Sequence, residues 1–178
     1  MELTPDRVVK EYRWVRDRSS VVVPIINDVR DELGTVFETD VDSVTETAYR
    51  REVETVFADG DLAVNVAAMV AILRDLDVED DYPGFVVDEL LGRELAATIA
   101  GTQPLRTLGE ATFHYADLQV HGDSEALNAS DCRAGRDDPR EDTENAGVDD
   151  LDAALAAGFQ ERLPGWAWTE RESPFAVD

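Results

Sequence analysis

The chain has 178 residues, 43% of them hydrophobic, with 40 acidic residues against 16 basic ones and a net charge of −24. That length suits one domain with a real core, and no run approaches the roughly 20 apolar residues of a membrane-spanning helix. These figures exclude a membrane protein, a disulfide mini-protein and a generally basic nucleic-acid binder.

Pro5–Gly34 reads as helix. Pro24 divides it, because an interior proline lacks a backbone donor and clashes with the preceding turn. The helix either kinks there or restarts at Pro24 and ends at Gly34. Five cations, Arg7, Lys10, Arg13, Arg16 and Arg18, crowd its first half; with Glu11 and Asp17 that window is +3 in a chain of −24. Tyr12 and Trp14 are interleaved. Arginine with aromatic residues can grip phosphates and stack on bases, but the field of so acidic a molecule disfavours a duplex. The alternative is docking against acidic neighbouring helices or a second copy of the chain.

Thr35–Thr39 is a β-friendly linker, and Asp40 or Asp42 caps a helix to Phe57 whose apolar positions, from Val41 and Val44 through Val53 and Val56, follow the helical period. Asp59-Gly60 breaks it. Asp61 caps the next helix, to about Leu76. Leu62, Val66, Met69 and Leu73 form its stripe, and Val64, Ala67, Ala68, Ala71 and Ile72 widen it almost all round, which predicts a central position. Asp75–Pro83 reads as a solvated turn. Gly84–Ala100 is helical, with Leu91, Leu95 and Ile99 inward and Gly101 as the stop. Pro104 opens a helix to about His121.

Gly122–Asp150 holds ten acids against three arginines and almost no large apolar residue. It reads as a long, mobile acidic loop. Asp149 or Asp150 then caps a last helix with Leu151, Leu155, Phe159 and Leu163 at helical spacing, ended by Pro164-Gly165 and followed by Trp166 and Trp168. The expected fold is a mostly α, single-domain bundle of five or six helices around Asp61–Leu76. Residues 1–121 form its core, 122–150 the loop, and 151–178 a helix and tryptophan tail packing on the same domain.

Fifteen of the sixteen basic residues are arginine and one, Lys10, is lysine. Lysine loss with acidic excess resembles proteins that fold in molar salt, where the screening length is roughly 3 Å and surface carboxylates no longer repel one another. A halophilic chain of this kind is expected to swell or unfold as salt falls. Cys132, the one cysteine, and the absence of an apolar leader core in Met1–Lys10 fit a reducing cytoplasm.

One constellation carries chemistry. Both histidines lie in Glu110–His121, and steps of four, three and four put Glu110, His114, Asp117 and His121 within about 60° of arc on a helix. Two imidazoles and two carboxylates suit a divalent transition metal. The stripe spans about 16 Å, so other helices would have to complete a site. It equally suits a solvated polar face, and it dissolves if Thr112–Val120 is a strand. No phosphate loop, nucleophile elbow or Cys-x-x-Cys is present. The function expected is that of a non-catalytic structural or interaction module, binding a protein or itself through the N-terminal helix or the Trp166/Trp168 tail. The alternative is a metal-binding enzyme or sensor built on the histidine stripe.

Overall fold

The computed structural model describes residues 2–36, 38–75, 81–101, 112–113, 116–117, 119–120 and 146–165. Among the described residues the helices with defined bounds are α1 (Pro5–Asp17), α2 (Ser19–Val36), α3 (Glu46–Ala58), α4 (Gly60–Asp75), α5 (Asp81–Ala100) and α6 (Ala146–Gln160). The described residues between 112 and 120 are helical as well, and no strand occurs among the described residues. The fold is thus the helical bundle that the periodicity predicts. No single helix among these residues is long and apolar enough to cross a membrane.

The break in the first helical segment falls at Arg18, not at Pro24. Thr4 caps α1, its Oγ1 accepting from the Arg7 N–H at 3.2 Å, with Pro5 in the first turn. At Arg18 the chain bends, and its carbonyl accepts from both Val21 N and Val22 N at 2.9 Å, opening α2. Tertiary contacts set this corner: Ser19 is buried, its Oγ donating to Glu46 at 2.9 Å and accepting from Arg50. Pro24 sits inside α2 on an exposed face. The carbonyl it orphans, that of Ser20, belongs to an exposed residue, where water can satisfy it.

The start of α3 is also displaced, to Glu46 rather than Asp40 or Asp42. Asn27 makes a reciprocal pair with Val44, donating to its carbonyl at 3.0 Å and accepting from its N–H at 2.7 Å. This pins Val44 against α2 before the helix starts, and Thr45 is the cap. Asp59, rather than Asp61, caps α4, its Oδ1 accepting from Leu62 N at 3.2 Å. α5 begins at Asp81, with Pro83 in its first turn. Gly101 ends it at φ +62°, a backbone state that costs glycine little. α6 begins at Ala146, so the end of the 122–150 segment is helical; residues 121–145 lie outside the described ones.

The centre of the bundle is α6, not Asp61–Leu76. Every residue from Leu151 to Glu161 is buried, and α6 packs on α2, α3, α4 and α5. α4 instead leaves Val64 44% and Ile72 38% exposed. Side-chain size explains the exchange. Ala153, Ala154, Ala156, Ala157 and Gly158 make α6 thin, so its neighbours can approach on all sides. A Cβ on Gly158 would lie 2.8 Å from Ile99 Cβ and 3.0 Å from the Ala96 carbonyl oxygen. Gly158→Ala should therefore lower stability by about 2 kcal/mol despite alanine's better helix propensity, because α5 and α6 must part. A thermal melt checks this; an unchanged or raised melting temperature would refute the close approach.

Candidate functional site

Of the predicted metal stripe, Asp117 is described, helical and half-buried. Glu110, His114 and His121 lie outside the described residues, as do Cys132, Trp166 and Trp168. Among the described residues no group of three His, Cys, Asp or Glu could hold a metal ion. The residues 112, 113, 116, 117, 119 and 120 are helical and do not alternate as a strand would.

The N-terminal cations divide by helix face. Arg7 and Arg18 turn inward. Glu11 is fully buried; Arg7 Nε lies 2.6 Å from it, and Arg74 clasps it with contacts of 2.6 and 3.0 Å. Arg7 also donates to Asp75 at 2.6 Å, which holds that carboxyl below its usual range. α1 and α4 are thereby joined by two arginines and two carboxylates. Arg18 forks onto buried Asp152 of α6, one prong at 2.8 Å. Arg18 and Arg74 lie 5.2 and 5.4 Å from the Trp14 ring centre, within cation–π range.

Besides Asp152, the buried ionisable groups that hydropathy alone does not reveal include Arg30 and Glu161. Arg30 is fully buried, and its guanidinium donates to the carbonyls of Asp42 (2.6 Å), Pro164 (2.7 Å), Gln160 and Leu163 (both 3.3 Å). Three of these carbonyls are at or just past the end of α6, so a side chain of α2 caps that helix. Desolvation lowers the Arg30 pKa to about 10, against the pull of Glu161 and Asp42. Glu161 is 5% exposed, its oxygens accept no hydrogen bond, and burial pushes its pKa up to about 8, with Arg30 acting in the opposite direction. A signal for Arg30 was present, since it follows Val23 by seven residues and Ile26 by four on the apolar stripe of α2. Nearby, Arg162 ties α6 to α3 through Glu52 at 2.6 Å and to α5 through the Ile99 carbonyl at 3.2 Å.

Apart from Glu161, these groups answer one another or backbone carbonyls inside helix joints, which is a structural use of charge. Two concavities stand out among the described residues. One, of about 870 Å³, is polar and lies at the α2–α3 connection, lined by Asp31, Glu38, Asp40 and Asp42 among others. The other, of about 240 Å³, is an open apolar groove between α1 and α3, formed by Val8, Val9, Tyr12, Phe57 and Ala58 with Glu54. The Tyr12 and Phe57 rings meet 5.4 Å apart, tilted by 60°. Tyr12 against Phe57 and Arg16 against Glu54 (3.6 Å) show that the two helices run antiparallel. Val9, at 45% exposure, stands on the outer wall. The outward faces carry Lys10, Arg13 and Arg51, all exposed.

A family model described as Domain of unknown function (DUF7984) matches residues 1–178. No curated protein and no solved structure matches the chain.

Proposed function

The chain belongs to the DUF7984 family, and we propose that it works as a non-catalytic helical module that binds another protein through the seam between α1 and α3. The observation that carries this reading is the open apolar groove of Val8, Val9, Tyr12, Phe57 and Ala58. Exposed apolar surface with a polar rim is the usual sign of a docking face. The distribution of charge supports it too. Glu11 and Asp152 engage other helices of the same chain, as structural ties do, and Arg30, at the edge of the polar α2–α3 concavity, spends its guanidinium on carbonyls of the same chain. The composition, rich in acid and poor in lysine, suits a salt-rich cytoplasm, and the single cysteine suits a reducing one.

Val9→Gln tests the reading. Val9 is exposed, so the substitution should change stability by no more than about 0.5 kcal/mol. Tagged wild-type and variant chains isolated from the native cells should then differ. The wild type should carry a stoichiometric companion that the variant loses at unchanged melting temperature. A companion retained equally by both would refute docking at this seam.

A further inference from the structure

We propose that the segment docking at this seam is an acidic amphipathic helix, its apolar face in the groove and its carboxylates on Arg13 and Arg51. The inference rests on the docking role proposed above and names the chemistry of the partner. It starts from an imbalance. Acids outnumber bases 40 to 16 in this chain, so nearly every cation has a carboxylate to meet. Among the described residues, Arg7, Arg16, Arg18, Arg50, Arg74 and Arg162 all do so. Among the described cations, the side chains of Lys10, Arg13 and Arg51 alone make neither ion pair nor hydrogen bond, and all three are on α1 and α3, the helices that wall the groove.

Their register places two of them at the groove. Arg13 follows Val9 by one helical turn, and Arg51 precedes Glu54 by three residues and Ala58 by seven, so each lies along the outer edge of one wall. An apolar trough with an unpaired guanidinium on each side suits a helix with apolar anchors spaced i, i+3/i+4 and i+7 and with Asp or Glu flanking them. Arginine meets carboxylate as a two-pronged contact. Such contact-range pairing needs no long-range field, which salt near 1 M would screen beyond roughly 3 Å. A polyanion such as a nucleic acid is a poorer fit, because its affinity comes from many phosphate contacts and two arginines give it little purchase.

The test uses the full chain, in salt that keeps it folded, and two fluorescent synthetic helices of roughly 18 residues with the same leucine face. One carries Glu on its polar face and the other Lys; a single-stranded oligonucleotide is the third probe. By anisotropy the Glu peptide should bind about tenfold or more tightly than the Lys peptide. Val9→Gln should abolish that binding. The Arg13→Glu/Arg51→Glu double variant, checked for an unchanged melting temperature, should reverse the preference. Equal binding of both peptides, lost in Val9→Gln, would overturn the acidic partner and leave the docking seam standing. Binding of neither peptide, or binding insensitive to Val9→Gln, would overturn both. Tighter binding of the oligonucleotide than of the Glu peptide would overturn the protein partner.

Discussion

Arg30→Ala should cost about 4 kcal/mol and lower the melting temperature by roughly 10 °C. Arg30 is fully buried, and its guanidinium serves the carbonyls of Asp42, Gln160, Leu163 and Pro164. Removing it leaves the buried Gln160 and Leu163 acceptors dry and uncaps the central helix, and an unsatisfied buried acceptor costs more than a satisfied one contributes. Losing that positive charge also pushes the Glu161 pKa further up. Arg30→Lys should restore only part of the loss, since an ammonium offers three donors in place of a planar fork of five. Arg30→Met separates lost packing from lost bonding, because it refills much of the volume with no donor. If Arg30→Met melted with the wild type, the four carbonyl contacts would carry no stability.

Glu161→Gln should act in the opposite direction, and only at high pH. Burial raises the Glu161 pKa from 4.5 to about 8. Between those values the unfolded chain has lost a proton that the folded chain still holds. This group's contribution to stability therefore falls as pH rises from about 4.5 to about 8 and stays low above it. Glutamine cannot ionise and removes the fall. The variant should match the wild type near pH 4.5 and exceed it at pH 9 by on the order of 3 kcal/mol. Melting curves at the two pH values decide the matter. A variant less stable at both would mean that the carboxylate, not the carboxylic acid, is the form the fold needs.

Much of this architecture was legible in the residues. The sequence reads as helical over most of each described helix, though it divides the first segment at Pro24 rather than at Arg18, and Gly101 and Asp59-Gly60 mark real helix ends. Boundaries were misread wherever a distant side chain set them. Val41 and Val44 continue the apolar period of α3, but Asn27 holds Val44 outside the helix by two hydrogen bonds. Pro24 reads as the break in the first segment and Arg18 does not, yet a proline on a wet face disturbs little while buried Ser19 fixes a corner. The centre was assigned to α4 for its hydropathy, yet the central helix needs to be thin, and the alanines and Gly158 of α6 make it so. The cationic window of α1 was visible at once. Which of its members stay free was not, since that depends on where Glu11, Glu54, Asp75 and Asp152 arrive in space.

The α1–α3 seam as the working face is tested most directly by site-specific photo-crosslinking in the native cells. A photoreactive residue is placed at position 9 in one strain and at position 64 in another. Both sites are comparably exposed valines, one on the groove wall and one on the outer face of α4. A discrete adduct from position 9, with the crosslink mapped to an acidic amphipathic segment of the partner and no adduct from position 64, is the predicted result. An adduct from position 64 with none from position 9 would contradict it.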